Sequence, residues 1–314
     1  MVRKLYIILS IILFFFGYSF AGGQGTTVFQ TLQLPLTAYD ASVANTNISG
    51  TQSALNNPAI VPFLETSVTL SHAIYLTDTN YTVLGANYNI DQKSSINITM
   101  LYFNFGSMDK TFDDGSGGYI KSGTFDANDK MFSFSYARNF NDKITYGASI
   151  KYINQTIDDV SYNGFALHLS GLYFISPNFF TIAGLNNIGP DVSGYSLPTD
   201  FYLGLSGYLS PVLLFVGQLD NYYNDSISEL KLAVEYEPTQ VFLCRFGYTI
   251  PVKKEFADEN ELVTNLTFGV GLKFSSVSID YAWLPKGDLG SIHMFSFIYK
   301  FNTEKDKQEN KQEK

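Results

Sequence analysis

Three histidines, one cysteine and two acidic runs are the residues whose types could carry chemistry, and their spacing decides what that chemistry can be. His72, His168 and His293 are far apart, with none of the short spacings that place two imidazoles on one metal. No Gly-x-Ser-x-Gly elbow supplies a hydrolase nucleophile. Asp109, Asp113 and Asp114 precede Gly115-Ser116-Gly117-Gly118, but a regular calcium loop needs oxygen ligands at alternating positions and a terminal Glu. This run, and the acidic stretch Glu255 to Glu261, read as solvated loops. Cys244 stands alone and forms no internal disulfide. The sequence therefore points away from an enzyme, a metal centre or a cofactor.

The polar residues that do stand out are charges embedded in apolar segments. Ile144, Tyr146, Ala148, Ile150 and Tyr152 alternate with Thr145, Gly147, Ser149 and Lys151. Leu230, Leu232, Val234 and Tyr236 alternate with Lys231, Ala233 and Glu235, and Leu266 to Phe274 alternate in the same way around Lys273. This is the period of a strand. Fourteen such segments follow one another, at roughly 66–76, 79–90, 94–105, 130–140, 143–154, 161–174, 179–188, 200–208, 212–220, 228–237, 240–250, 262–274, 276–283 and 290–301.

An even number of strands of about 9–11 residues is what an antiparallel transmembrane barrel needs. The links alternate in length as well. Short ones, such as Asn141-Asp142 and Pro238-Thr239, follow even-numbered strands; long ones rich in Gly, Asp and Asn follow most odd-numbered strands, notably 106–129, 189–199, 220–227 and 251–261. Barrels of the outer membrane have short periplasmic turns and long outside loops, which places both chain ends in the periplasm. The apolar parity then faces lipid. Lys151, Lys231, Glu235, Arg245, Lys273 and Asp280 face the lumen, whereas an Arg or Lys at mid-bilayer would cost about 2–4 kcal/mol. Tyr75, Tyr81, Phe140, Tyr208, Tyr236 and Trp283, near segment ends, suit interfacial girdles.

Composition agrees. Aromatic residues are 16% and charged residues 16% of the 314 positions, the latter well under the ~25% of ordinary soluble domains. Met1 to Lys4 and the apolar run to Phe20, closed by Ser19-Phe20-Ala21, have the form of an export signal, so residues 1–21 are set aside as cleaved near Ala21. The remainder is acidic, which disfavours nucleic acid as a partner. Residues 22–65 lack alternation and are expected to fold into the barrel mouth as a hatch or plug. Within it Asn57-Pro58-Ala59 is either a gate along a ligand path or a turn that closes the lumen permanently. Residues 302–314, all polar or charged, are expected to be a disordered periplasmic tail. A soluble exported β-sandwich adhesin is the rival from another class; it predicts extraction without detergent.

The run Phe29 to Ala41 (FQTLQLPLTAYDA) resembles the N-terminal signature of the PorV/PorQ outer-membrane proteins, related to FadL-type channels, and Asn57-Pro58-Ala59 matches the FadL-like hatch motif. Ile279 to Trp283, Gly287 to Gly290 and His293 resemble the same family's closing hairpin. The family's Ala-Arg-x-Ala and Met-Gly-Gly are replaced here by Ala38-Tyr39-Asp40-Ala41 and Val43-Ala44-Asn45. The resemblance implies a fourteen-stranded FadL-like barrel without enzymatic activity. In its export form it implies type IX secretion components and the C-terminal domains of secreted proteins as partners; in its transport form, a path for a small hydrophobic ligand through the hatch.

Overall fold

The computed structural model describes residues 27–47, 55–225, 227–253 and 261–301. The expected signal (1–21) and tail (302–314) lie outside the described residues, as do 22–26 and 48–54 of the expected hatch.

Fourteen antiparallel strands form a closed barrel in which each pairs with its sequence neighbours and β1 closes on β14. They are β1 (Ser67–Ile74), β2 (Asn80–Asn89), β3 (Ser94–Asp113), β4 (Tyr119–Asn141), β5 (Ile144–Ile157), β6 (Val160–Ser176), β7 (Phe179–Ile188), β8 (Asp200–Ser210), β9 (Leu213–Tyr222), β10 (Ile227–Tyr236), β11 (Phe242–Lys253), β12 (Leu266–Lys273), β13 (Val277–Pro285) and β14 (Ser291–Lys300). Closure leaves no unpaired sheet edge, the condition for backbone to cross a hydrocarbon layer as strands. No helix among the described residues is long and apolar enough to cross a membrane.

Two expectations need correction. The segment 106–129 is not an irregular loop: β3 and β4 continue as a hairpin with Ser107 opposite Asp126 and Asp113 opposite Tyr119. Beyond Asn104, β3 has lost β2, and beyond Ala127, β4 has lost β5. Both faces of the extension meet solvent, so it needs no apolar parity, which is why the period is faint there. Second, β12 begins at Leu266, because Glu261–Thr264 forms a single helical turn.

The outer wall is made of the apolar parity. On β5, Ile144, Tyr146, Ile150 and Tyr152 are exposed, while Thr145, Ser149 and Lys151 are buried. Phe132, Phe134, Leu167, Leu169, Phe246, Phe268, Val270, Phe295 and Phe297 continue this surface around the barrel. An apolar face far beyond the few hundred Å² tolerated by soluble monomers needs lipid against it. The inner wall carries the core, formed against the N-terminal segment.

That segment lies inside the barrel. Helix α1 (Ala38–Ser42) packs against β11 to β14, and a turn of 3-10 helix, Pro58–Phe63, packs against β3 to β6. Thr37 begins α1 with a reciprocal capping box, its hydroxyl accepting from the Asp40 amide while its own amide donates to the Asp40 carboxylate. Small residues on the wall let backbone approach backbone. A Cβ on Gly147 would lie 2.5 Å from the Pro58 carbonyl carbon, and one on Gly269 would lie 2.3 Å from Ser42 Cβ.

Candidate functional site

Asn57, Pro58 and Ala59 are all buried. The Asn57 carboxamide oxygen accepts from the Ala59 amide (3.0 Å) and from the Ser170 hydroxyl on β6 (2.8 Å), and its Nδ2 donates to the Asn47 carbonyl (2.6 Å). Pro at the first helical position needs no partner for an amide it lacks. The motif thus ties three pieces together: the turn, the segment leaving α1 and the β6 wall.

Among the six charged residues expected to face the lumen, three converge. Arg245 Nε is 2.8 Å from Glu235, its Nη1 is 2.7 Å from Asp280, and its guanidinium carbon lies 4.0 Å from the centroid of the Tyr39 ring on α1. The others use partners that periodicity alone did not single out. Lys231 is 2.5 Å from Asp220 and 3.6 Å from Glu229, and donates to the Tyr222 hydroxyl. Lys151 donates to Asn186 (2.8 Å) and Asn187 (2.9 Å). These two asparagines sit at a bulge where β7 spends an extra residue against β6, with Asn187 at φ 54°. Lys273 pairs with Glu237 at 2.8 Å and remains partly exposed.

The histidines have separate partners: His72 meets Thr82, His168 meets Tyr202, and His293 meets Tyr281. Among the described residues no three His, Cys, Asp or Glu side chains are placed to hold a metal ion.

Between this plug and the long-loop end of the barrel is a cavity of about 790 Å³. Its floor is plug: Leu34, Pro35, Ala41, Ala44 and Asn45. One wall is apolar and aromatic, made by Tyr75 just after β1, Tyr81 on β2, Phe103 and Phe105 on β3, and Ile292 and Met294 on β14. Phe103 stacks on Tyr81 (5.6 Å between centroids), meets Tyr75 edge-on (5.4 Å) and leans on Phe105 (4.4 Å). The facing wall is polar, with Tyr222, Glu229, Lys231, Thr249, Asn265 and Lys286.

Tyr75 and Tyr81 are thereby removed from the expected girdle. Tyr81 is 0% exposed and sits on the inward parity of β2. The sequence reading assigned small and polar residues to the lumen; here the lumen has an apolar wall of its own, so an inward aromatic was mistaken for an interfacial one. Phe103, on the inward parity of β3, was missed for the same reason. Tyr208 is on the inward parity of β8, opposite Leu214, and leaves the girdle as well, whereas Phe140, Tyr236 and Trp283 are exposed on the outside.

The N-terminal segment is fastened at the cavity as well. The Thr27 hydroxyl donates to Asp225 (2.9 Å) in the link between β9 and β10, and the Val28 amide to the Ser196 carbonyl (3.0 Å) between β7 and β8. Burial raises the Asp225 carboxyl above the ordinary carboxylate range, with the bonds from Thr27 and Gln33 pulling the other way. Burial likewise lowers the Lys286 ammonium, opposed by Glu229.

None of Asn57, Pro58 and Ala59 borders this cavity. They hold the plug to the wall.

No protein-family model matches the sequence, and no curated protein is similar to it. Solved structures are. The toluene transporter TbuX of Ralstonia pickettii superposes with a TM-score of 0.64 at 12% identity, covering 87% of this chain and 100% of that one. The P. putida toluene transporter TodX gives 0.63 at 11%, covering 85% and 99%. A Pseudomonas aeruginosa FadL homologue gives 0.58 at 11%, covering 86% and 99%. At such identities the likeness is one of fold, and the chain is a closed, fourteen-stranded antiparallel barrel of the FadL-like kind.

Proposed function

We propose that this chain is an outer-membrane transport barrel that takes a small, mainly apolar molecule into the cavity above its plug. The observation that carries the reading is the aromatic wall facing inward: Tyr81, Phe103, Ile292 and Met294 are buried side chains on the lumen parity that border the cavity, whereas the other inward apolar cluster, around Leu172, Ile182, Leu214 and Val216, packs against Val43, Ile60 and Val61 of the plug. An apolar pocket with a few convergent polar groups is the usual form of a small-molecule site. The similar folds include proteins described as toluene transporters, which supports the reading. Export into an outer membrane follows from the apolar exterior and from the signal-like N-terminus.

The test is binding and uptake. A labelled alkylbenzene is titrated into the purified barrel in nanodiscs and supplied to cells of a Gram-negative host that express it. Ile292→Trp, which fills the apolar side of the cavity, is expected to weaken binding at least about tenfold and to slow uptake; unchanged binding and uptake would remove the reading.

A second reading, an accessory of protein export as the PorV/PorQ resemblance implies, has one feature in its favour. The β3–β4 extension presents Phe112, Tyr119 and Ile120, each more than half exposed, away from the barrel. Co-purification of secretion components that is lost when the extension is trimmed would support it.

A further inference from the structure

The cavity holds a polar atom that the protein leaves without a partner. Asp129 lies on the inward parity of β4, 1% exposed, directly opposite Phe103 on β3. The Thr31 hydroxyl donates to its Oδ2 at 2.8 Å; the Gln155 side chain, directly opposite on β5, lies beside the carboxylate, but Oδ1 is buried and no donor meets it at hydrogen-bonding geometry. No basic side chain among the described residues is paired with it. The neighbouring phenol does not serve it either, because Tyr81 donates to the Pro35 carbonyl at 2.9 Å. A buried carboxylate oxygen with no donor is costly, and native proteins seldom leave one without a use.

We propose that Asp129 anchors the polar end of the transported molecule, which carries one hydrogen-bond donor, a hydroxyl or an ammonium, on an apolar body. The donor fills the open valence of Oδ1 while the body lies against Phe103, Tyr75 and Phe105. This rests on the cavity being the ligand site and adds the class of ligand. A plain hydrocarbon leaves Oδ1 unpaired. A carboxylate ligand is repelled by it; of the cations among the described residues of the facing wall, Lys231 is held by Asp220 and Glu229, and Lys286 donates to the Thr264 carbonyl at 3.1 Å. Sites built to hydrogen-bond a polar group discriminate strongly against analogues that lack it.

The experiment is calorimetric titration of the full chain in nanodiscs with four matched probes: butylbenzene, 4-butylphenol, 4-butylbenzylamine and 4-butylbenzoate. The phenol or the amine is expected to bind about tenfold or more tighter than butylbenzene, the strength of a hydrogen bond to a charged acceptor, and the benzoate weakest of all. Whichever of phenol and amine binds tighter names the donor. In Asp129→Leu the preference is expected to vanish with butylbenzene binding kept, and Asp129→Asn, which retains an acceptor for Thr31, to lose the amine's advantage. Equal binding of all three uncarboxylated probes to the wild type, or a preference that survives in Asp129→Leu, overturns the assignment while the transport reading stands. If no probe binds, the cavity is not a ligand site and both fall. The wild-type comparison needs no variant to fold.

Discussion

The guanidinium of Arg245 covers the ring of Tyr39 at 4.0 Å, so a side chain of the barrel wall clasps the plug helix packed against it. The same Arg is held from both sides by Glu235 and Asp280. Removing one member of a buried ion cluster leaves charge without compensation, which costs about 3–5 kcal/mol. Arg245→Leu is therefore expected to lower the thermal unfolding temperature of the barrel markedly. Tyr39→Leu, which removes the cation–π face and part of the ring's packing but leaves no charge uncompensated, is expected to cost less, about 1–2 kcal/mol for the cation–π face. Heat-dependent gel mobility of the folded barrel compares the two.

Gly147 and Gly171 make a matched pair on neighbouring strands. A side chain at Gly147 would enter the Pro58–Ala59 backbone, whereas a Cβ on Gly171, on the outward parity, has its nearest neighbour at 3.9 Å. Gly147→Val is expected to cost about 1–3 kcal/mol by overpacking and to lift the plug turn from the wall. Protease sensitivity of the plug and single-channel conductance in planar bilayers should both rise. Gly171→Ala should change neither.

Ile150 is 54% exposed in the middle of β5. If lipid covers it, Ile150→Arg costs about 2–4 kcal/mol, read as a lower midpoint for folding into vesicles. An aqueous outer face predicts no loss, and this outcome would remove the membrane assignment.

The β3–β4 extension has no lateral strand partner past Asn104 and Ala127. Replacing residues 107–125 with a short turn is thus expected to leave the barrel's unfolding temperature within a few degrees of the full chain.

Asp91, in the short turn between β2 and β3, accepts from the Lys93 and Ser94 amides at 2.6 and 2.7 Å. Those bonds hold its carboxyl below the ordinary carboxylate range. A lowered folded value means that the contribution is present above the ordinary carboxylate value and lost as pH falls through the lowered one. Carboxyl NMR should find Asp91 titrating below the ordinary carboxylate range, and the protection of the Lys93 and Ser94 amides should decline as it does.

The alternation of residues was enough to define the wall. A side chain's parity on a strand is a local property, so Ile144 to Tyr152 and Leu266 to Lys273 could be assigned an outside and an inside from order alone. Where both faces met the same medium, as in the β3–β4 extension, alternation had nothing to encode and the strands went unseen. The inward placement of Lys231 or Arg245 was legible because charge in lipid is expensive; the identity of their partners, Asp220 ten residues or more away in chain and Tyr39 two hundred away, was not.

Strand count, closure, parity and the shortness of one set of turns were therefore determined by the sequence itself, since each rests on contacts between neighbours in the chain or on the cost of exposing a residue to the wrong solvent. What filled the barrel was decided only in three dimensions. The cavity exists because α1 leans on β11 to β14 and the Pro58 turn on β3 to β6, and because Phe103 faces Asp129 across a strand pair. Such contacts join segments with no periodic relation to one another, and so an inward Tyr81 reads the same as an interfacial one until the enclosed space is seen.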